Sequence, residues 1–390
     1  MLPYMTMNTS KKKICLVSAI PMSLNVFMRP HIDMLAEQYD VTLIANGAVE
    51  EFLMAKEWGV HVVPVAIARD IQPFQDLRAL LTLMRIFKSA HFDAVHSITP
   101  KAGLLSMLAA AWTGVPIRIH TFTGQVWATK NGWVRKGLKA LDKLTARCAT
   151  SLLTDSPSQK DFLVNEGIVR QEKIKVLGKG SVAGVDVLRF KPNALARKHI
   201  RTELNISDSA VVCLYLGRLN PDKGVQDLAQ AFAQIAAQVH NAHLLVVGPD
   251  EANMADLIEK TLSVCRPQYH RVGFTTQPED YMAAADLFCL PSYREGFGSV
   301  LIEAAAVGVP ALASHIYGIT DAVDDGKTGI LHEPKNVAQI AQGLLTLIQD
   351  DDLRHNMATH AIERAYQLFD TQVLVSAMRE HYGQLFQSPE

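Results

Sequence analysis

Two acidic side chains, Glu295 and Glu303, are separated by seven residues that include two glycines. The run DLFCL, which ends at Leu290, is typical of a buried strand, and the residues from Ser299 to Gly308 favour a helix closed by glycine. Ligands of open α/β sheets bind beyond the carboxyl ends of strands, which places Glu295 at a ligand site. Glu303 then lies roughly 6 Å deeper along the helix, so the two acids can reach different parts of one extended ligand.

The start of that helix has the properties of an anion site. Gly296 and Gly298 allow a ligand to approach the backbone closely. The free amides of Gly298, Ser299 and Val300 point out of the helix start, where the macrodipole favours negative charge. A diphosphate between two hydroxyl-rich groups fits this arrangement. The alternative is one acid that stabilises its own helix and a second glutamate on the surface, with no ligand.

A second group of charges lies in GRLNPDKG, residues 217–224, which follows a predicted strand and opens a helix. Arg218 and Lys223 flank a Pro-Asp turn, so we expect both to point at the same anion. A guanidinium fork and a mobile ammonium group both suit phosphate oxygens. Cations aimed at a leaving diphosphate stabilise the charge that develops, and losing one such contact typically lowers a rate by about 10²–10³-fold. The alternative is a solvated turn.

The elements that must position these residues alternate between short strands and helices. The first half contains KICLVSA, DVTLIAN, VHVVPV, DAVHS, PIRIHT and TSLLTD, and the second contains AVVCLYLG, AHLLVVG, YHRVG, DLFCL, VPALAS and TGILH. Each run reads as a buried strand, and helical patterns fall between them. The sequence therefore predicts an α/β fold made of two Rossmann-like, doubly wound parallel-sheet domains.

The predicted domain limits follow from breaks in this pattern. Residues 1–190 form the expected N-terminal domain, and residues 191–370 form the expected C-terminal domain. The glycine-rich stretch at residues 178–193 is the predicted interdomain crossing. A break near Asp370 precedes a last helix, residues 371–390, which we expect to pack back on the N-terminal domain.

Bulk composition excludes several classes of protein. The chain has 390 residues, a net charge of −1 and no strongly basic balance, which argues against general nucleic-acid binding. Its five cysteines form no C-x-x-C pair, so neither a zinc site nor a disulfide is expected. No apolar run of about twenty residues occurs, so we expect a cytoplasmic protein that can touch a membrane from one side.

Taken together, the motifs resemble those of the retaining, nucleotide-sugar-dependent glycosyltransferases of family 4, which have the GT-B fold of two Rossmann-like domains facing across a cleft. The resemblance covers nearly the whole chain, and its E-x₇-E spacing runs from Glu295 to Glu303. The segments that carry it are GRLNPDKG, VGFT, PSYREGFGSVLIEAAAVGVPALAS and DGKTGIL.

The resemblance implies that residues 1–190 bind the acceptor and that residues 191–370 bind the nucleotide sugar. Glu303 would hydrogen-bond the ribose hydroxyls, and Glu295 would face the donor sugar. The remaining donor-binding groups would be the diphosphate-binding Arg218 and Lys223, the nucleobase contacts Val272 and Phe274, and the backbone amides of Phe297, Gly298, Ser299 and Val300.

In the N-terminal domain the family places a histidine after a central strand, near the reacting sugar, and His120 in RIHTFTG is the matching residue. The implied catalytic set is His120, Glu295, Arg218 and Lys223. The motifs HSITPKAG, TFTG and GSVAGVD look closest to a subgroup that acts on lipid-linked sugars in bacterial surface-polysaccharide assembly. Lys101 and Gly124 are therefore candidate acceptor contacts. The alternative for Lys101 is a lysine that is merely exposed.

A lipid-linked acceptor also has physical support in residues 127–150. Cations recur every fourth residue there, an apolar face lies opposite them, and Trp127 and Trp133 stand just before the helix. A basic helix with tryptophans suits an anionic membrane surface, although it can also be an ordinary amphipathic helix. The cations are Arg135, Lys139, Lys143 and Arg147, and the apolar face is Val134, Leu138, Leu141 and Cys148. Arg135 and Lys139 are additional candidate acceptor contacts.

The resemblance implies transfer of a hexosyl or N-acetylhexosaminyl group from a UDP-sugar to an undecaprenyl-diphosphate-linked glycan, with retention. We expect no metal and no cofactor, because the acidic run at residues 350–352 reads as a helix start. We expect a peripheral location on the inner face of the plasma membrane. Two alternatives stay open, a GT-B-like UDP-sugar 2-epimerase and a non-catalytic scaffold that binds sugar nucleotides.

Overall fold

The first sheet lies in the N-terminal half of the chain. The computed structural model describes residues 11–52, 59–68 and 70–387. The first sheet has seven parallel strands in the order β3-β2-β1-β4-β5-β6-β7. The strands are β1 Lys13–Val17, β2 Asp40–Ala45, β3 His61–Pro64, β4 Ala94–Ile98, β5 Ile117–Phe122, β6 Ser151–Thr154 and β7 Ile174–Val176.

The second sheet has six parallel strands in the order β10-β9-β8-β11-β12-β13. Its strands are β8 Val211–Leu216, β9 Ala242–Val247, β10 Tyr269–Val272, β11 Leu287–Leu290, β12 Ala311–Ser314 and β13 Gly329–His332. Central strands are buried along nearly their whole length because helices cover both faces, which is why they read as continuous apolar runs. The predicted pair of doubly wound parallel-sheet domains is confirmed.

Helices cover both faces of the first sheet. Alternate side chains of β1 point to opposite faces of the sheet. Ile14 and Leu16 pack with α2 and with the last helix, α15 (Thr371–Gln387), whereas Cys15 and Val17 pack with α3 and α4. The helices are α1 Pro21–Ser23, α2 Arg29–Gln38, α3 Pro73–Ala90, α4 Pro100–Trp112, α5 Gly132–Cys148 and α6 Pro157–Asn165. A π-helical turn, Leu24–Met28, joins α1 to α2.

The second sheet is covered in the same way. One face packs against α7, α10, α11 and α14, and the other against α8, α9 and α13. The helices are α7 Ala194–Glu203, α8 Val225–Ile235, α9 Ala255–Thr261, α10 Pro278–Ala284, α11 Ser299–Val307, α12 Ile319–Ala322, α13 Val337–Gln349 and α14 Asp351–Leu368. Asp350 caps α14 by accepting from the Leu353 amide at 2.8 Å, as predicted for an acid at a helix start.

The chain crosses between the domains twice, and the two crossings pair with each other. Val185 and Phe369 are joined by a backbone hydrogen bond of 2.7 Å, and α15, Thr371–Gln387, begins just beyond. This helix packs back against α2. Its Tyr382 hydroxyl forms a hydrogen bond of 2.9 Å with Nδ1 of His96 in β4. The domain limits at 190 and 370 and the last helix at 371–390 stay predictions, and residues 388–390 of that helix lie outside the described residues.

No helix in the described part of the chain is long and apolar enough to cross a membrane.

Candidate active site in the interdomain cleft

The structure joins Lys223 to Glu295. Lys223 Nζ lies 2.5 Å from Glu295 Oε1, which also accepts from the Ser292 hydroxyl at 2.8 Å. The two charged side chains are only 20% and 13% exposed. Their loops pack closely because Gly224 has a φ of +64° and no side chain, and a Cβ there would lie 2.0 Å from the Pro291 carbonyl oxygen. Two motifs that are distant in sequence thus meet beyond the carboxyl ends of β8 and β11.

The prediction that Arg218 and Lys223 point at one anion is not seen. The Arg218 guanidinium pairs with Glu251 at 2.8 Å, and both side chains are largely exposed. The reason is a pairing between the loops after β8 and β9. The Leu219 amide donates a hydrogen bond to the Pro249 carbonyl, and the Glu251 amide donates one to the Leu219 carbonyl. These two hydrogen bonds bring Glu251 beside Arg218.

The loop after β11 leads into an uncapped helix start. Gly298 occupies the N-cap position of α11 with a φ of +78° and has no side chain to cap the helix. The buried Phe297 ring anchors the loop, because it lies edge-on to Phe369 at 5.3 Å between ring centroids. Gly308 ends α11 in the left-handed conformation, as predicted. The first-turn amides of Ser299 and Val300 are thereby held at the carboxyl edge of the sheet, where the positive end of the helix dipole lies.

Glu303 lies on the second turn of α11 and is half-buried. Burial raises the pKa of its carboxyl group to about 7, against the opposing effect of the Arg189 guanidinium. Arg189 itself pairs with Glu279 at 2.7 Å and donates to the Thr276 carbonyl at 3.0 Å. Sequence reasoning missed Arg189, because it lies in the interdomain crossing, more than a hundred residues before the acid it faces.

Arg189 also connects Glu303 to the predicted nucleobase region. Val272 ends β10 and is half-buried, and the side chain of Phe274 is 69% exposed. Thr276, which receives the Arg189 hydrogen bond, lies two residues further along the same loop. Glu303 and the loop after β10 therefore share one neighbourhood, as a ligand that spans ribose and base would require.

His120 is a buried, neutral side chain inside β5, within the predicted strand PIRIHT, whereas the family resemblance implied a position after a strand. Its Nδ1 lies 2.9 Å from the Ser97 hydroxyl, and its ring meets Phe122 edge-on at 4.6 Å. Burial lowers the pKa of His120 to about 3, so the ring carries no charge near neutral pH. Gly103 makes room for it, because a Cβ there would lie 2.2 Å from His120 Cε1.

The two domains touch along a seam that includes Gly124. A Cβ on Gly124 would lie 2.9 Å from the Gly296 amide nitrogen, so the loop after β5 rests directly on the Glu295 loop. Arg294 donates to the Gly124 carbonyl at 3.5 Å, and the Tyr317 hydroxyl accepts from the Gln125 amide at 3.3 Å. Gly124 is thus a packing contact between the domains in this structure.

The other candidate acceptor contacts are engaged within the N-terminal domain. Lys101 is neither free nor merely exposed, because it pairs with Asp76 of α3 at 2.6 Å. Arg135 and Lys139 both pair with Glu166, at 2.7 and 2.5 Å. Both cations also lie over the ring of the buried Trp127, at 5.2 and 5.5 Å from its centroid. These contacts between distant residues could not be read from helical spacing.

The prediction of a buried apolar face on α5 is wrong for two of its four residues. Leu138 and Cys148 are half-buried, but Val134 and Leu141 are exposed to solvent. Helix α5 is oriented so that Arg135 and Lys139, the two cations of the basic stripe that lie nearest Glu166, face the protein. The ion pairs with Glu166, the stacking on Trp127 and the burial of Ala146 all accompany this orientation, and all are tertiary contacts.

Among the described residues, no three His, Cys, Asp or Glu side chains gather into a group that could hold a metal ion.

Comparison with known proteins places the chain among the glycosyltransferases. The family profile described as "Glycosyl transferases group 1" matches residues 196–364, and that described as "Glycosyl transferase 4-like domain" matches residues 26–180. The Staphylococcus aureus protein named "Capsular polysaccharide biosynthesis glycosyltransferase CapM" is 31% identical over 367 residues, which span 93% of this chain and 95% of the relative.

Two further proteins extend the comparison. The Escherichia coli "UDP-Gal:alpha-D-GlcNAc-diphosphoundecaprenol alpha-1,3-galactosyltransferase" is 27% identical over 354 residues and 89% of each chain. The crystal structure of Anabaena Alr3699/HepE in complex with UDP matches with a TM-score of 0.79 at 20% identity, over 95% of this chain and 100% of that chain. The two relatives are named as transferases, which does not favour the epimerase alternative. The chain belongs to the family 4 glycosyltransferases and has their GT-B fold.

Proposed function

We propose that the protein is a retaining glycosyltransferase that moves a hexosyl or N-acetylhexosaminyl group from a UDP-sugar to a hydroxyl of an undecaprenyl-diphosphate-linked glycan, in polysaccharide, capsule or O-antigen synthesis. The observation that carries the proposal is the ion pair of Lys223 with Glu295 beside the uncapped start of α11. A cation, a helix dipole and an acid in one cleft suit a ligand that has both a diphosphate and a hydroxyl-rich sugar.

The donor would bind along the second domain. Its diphosphate would take Lys223 and the α11 amides, and Arg218 would exchange Glu251 for the same phosphates. Glu303 would accept hydrogen bonds from the ribose hydroxyls, and Phe274 would lie against the base. UDP as the nucleotide is supported by the E. coli relative, which is named for UDP-Gal, and by the Anabaena neighbour, which holds UDP.

Transfer would proceed through an oxocarbenium-like sugar. The bond from C1 to the phosphate oxygen breaks, the acceptor oxygen bonds to C1 on the same face, and the acceptor proton passes to the departing phosphate. Lys223, Arg218 and the α11 amides would stabilise the charge that develops on the diphosphate. Because His120 is neutral, it would act as a hydrogen-bonding group near the sugar. Neither a metal nor a cofactor is part of this scheme.

The acceptor side of the proposal rests on one layer of helices. Helix α4 packs between α3 and α5 on one face of the first sheet. The three helices contain nine lysines and arginines but two acids, in a chain with a net charge of −1. Such an excess of cations attracts an anionic lipid surface by about 1 kcal/mol per cation close to it.

The outer face of this layer also presents large apolar side chains. Phe74 at the start of α3 is 91% exposed, and Trp133 at the start of α5 is 85% exposed. Both helices begin beyond the carboxyl ends of strands and therefore at the cleft end of the domain. Further exposed members are Leu77, Leu81, Val134, Leu141 and Leu144. We define these residues as the α3–α5 surface and propose that it lies on the inner face of the plasma membrane, with the cleft at the lipid-linked acceptor.

An acceptor phosphate could still be bound by Lys101, Arg135 or Lys139. It would have to replace Asp76 or Glu166, the carboxylates that now pair with those cations. These side chains are 15–31% exposed, so the exchange requires a phosphate that forms hydrogen bonds at least as strong as those of the carboxylate it displaces.

Two assays test the proposal. A series of UDP-, GDP- and ADP-sugars is screened for a rise in melting temperature, since a ligand that binds the folded state stabilises it. The donor that stabilises most is then incubated with a lipid-linked diphosphate glycan, and the anomeric configuration of the product is determined by NMR. We expect a UDP-sugar to stabilise and the configuration to be retained. Stabilisation by no nucleotide sugar, or an inverted product, would contradict the proposal.

A further inference from the structure

Asp155 occupies an unusual position between the two domains. It follows β6 and is 6% exposed. Its Oδ2 would lie 2.3 Å from a Cβ built on Gly296, and the Gly124 amide nitrogen would lie 2.7 Å from the same point. The carboxyl group is therefore packed between Gly124 of its own domain and Gly296 of the other, beside Glu295. Its Oδ1 is buried and has no hydrogen-bond partner in the described part of the protein.

The backbone of Asp155 is fixed on both sides. Its amide donates to Gln159 Oε1 at 2.9 Å, and its carbonyl accepts from the Ser181 amide at 2.6 Å. Gln159 in turn donates to the Gln125 side chain at 3.1 Å. These contacts hold the Cα of Asp155 at the seam between the domains.

Among the described residues, no cation forms an ion pair with this carboxyl group. Arg294, on the Glu295 loop, pairs with Asp222 at 3.1 Å and donates to the Gly124 carbonyl, while its Nε is buried without a hydrogen-bond partner. Lys223 is held by Glu295. Burial raises the pKa of Asp155 to about 8. The charged or titratable groups on the surrounding loops are Lys179, Lys223, Arg294, Glu295 and Tyr317.

We propose that Asp155 is a positioning residue which, as a neutral carboxylic acid, lets the Glu295 loop rest against Gly124 and so holds the two domains together. An ionised carboxylate with an unpartnered oxygen at this buried seam is unfavourable, and opening the seam to water removes the penalty. Ionisation of Asp155 therefore shifts the domains apart and withdraws Glu295 from its place. The inference rests on the proposed function only for the effect on sugar transfer.

The direction of the pH effect follows from proton linkage. The closed seam holds the proton more tightly than an open, hydrated seam does. As pH rises between the two pKa values, closure becomes less favourable by up to about tenfold per pH unit. The decline ends near pH 8, where the carboxyl group ionises in both states.

The test compares wild type with Asp155→Asn, which keeps the shape and the neutral state but cannot ionise. We expect the turnover ratio of the variant to wild type to rise with pH and to level off near pH 8. Asp161→Asn, an exposed aspartate on α6, is the matched control and should show a constant ratio. A ratio that does not change with pH for Asp155→Asn, or a folded variant without activity at every pH, would overturn the proposal.

A second measurement does not depend on catalysis or on the variant. Small-angle X-ray scattering of wild type is recorded at several pH values below pH 8 and at one above it, at constant ionic strength. We expect the radius of gyration to increase as pH rises toward that value, and a constant radius would overturn the proposal. If no sugar is transferred by wild type at any pH, the proposed function fails, whereas the scattering result still decides whether Asp155 controls domain closure.

Discussion

Lys223 Nζ and Glu295 Oε1 lie 2.5 Å apart, so the cation assigned to the diphosphate and the acid assigned to the sugar form one ion pair. The pair lies on two loops that can touch only because Gly224 has no side chain. In the proposed donor complex, a diphosphate at Lys223 would weaken this contact and make Glu295 available to a sugar hydroxyl. The proposal therefore couples donor binding to the release of Glu295.

Replacement of Lys223 by alanine should reduce turnover by about 10²–10³-fold, because a cation that stabilises the leaving diphosphate is removed. UDP-sugar affinity should fall as well, measured by calorimetry, while the melting temperature stays within a few degrees of wild type. Lys260→Ala, an exposed lysine on α9, is the matched control. Turnover of Lys223→Ala within twofold of wild type would contradict the assignment of this lysine to the diphosphate.

Glu251 should compete with the donor for Arg218. The Arg218 and Glu251 side chains are 46% and 40% exposed. Exposed ion pairs contribute about 0–1 kcal/mol to stability. Removing the competitor in Glu251→Gln should therefore tighten UDP binding by up to about fivefold, whereas Arg218→Ala should weaken it. Titration calorimetry at constant ionic strength measures both. If Glu251→Gln and Arg218→Ala leave the dissociation constant unchanged, Arg218 does not reach the diphosphate.

The sequence predicted the elements of the fold because each one depends on local patterns. Buried strands gave continuous apolar runs, Gly308 marked the end of α11, and the acid at residue 350 marked the start of α14. The meeting of Lys223 with Glu295 also followed from a general rule, since both motifs come directly after strands of one parallel sheet.

The errors concern contacts between residues that are distant in sequence. Nothing in the spacing of α5 shows that Glu166 faces Arg135 and Lys139, and the same holds for Asp76 and Lys101. Arg189 and Asp155 were missed for the same reason, because each acquires its significance from a residue in another element. Composition and periodicity describe which face of an element is apolar, but they do not give the rotation that one ion pair can select.

The pKa of Glu303 should control donor binding near neutral pH. Its folded value of about 7 exceeds the usual 4.5, so between those pH values the folded protein keeps a proton that the unfolded chain releases. The free energy of unfolding of wild type, relative to that of Glu303→Gln, should therefore fall as pH rises from 4.5 to about 7 and stay constant above that pH. In the proposed donor complex the carboxylate would accept hydrogen bonds from the ribose hydroxyls, so UDP should bind wild type more tightly above pH 7.

Melting temperatures and UDP affinities measured over this pH range test both statements. The ratio of wild-type to Glu303→Gln affinity removes the contribution of the UDP phosphates, which titrate equally in both experiments. Glu363→Gln, an exposed glutamate on α14, serves as the control. An affinity ratio that is flat or falls with rising pH would show that Glu303 does not hold the ribose as a carboxylate.

The α3–α5 surface should bind anionic vesicles, and the binding should depend on its exposed aromatic side chains. In Phe74→Asp combined with Trp133→Asp, two apolar contacts are lost and two negative charges are added. At about 1 kcal/mol per charge near the surface, the charges alone should weaken binding by more than tenfold. Co-sedimentation with vesicles of phosphatidylglycerol and phosphatidylcholine measures the partition coefficient.

The matched control is Leu195→Asp, which changes an equally exposed apolar residue on α7 of the other domain and should leave vesicle binding near the wild-type value. Because nine cations and two acids lie in α3, α4 and α5, binding should also fall as salt is raised and should be weak on vesicles without anionic lipid. Equal loss of binding in the control would place the membrane contact elsewhere on the protein. Binding that ignores both salt and lipid charge would mean that the basic helices do not face the membrane.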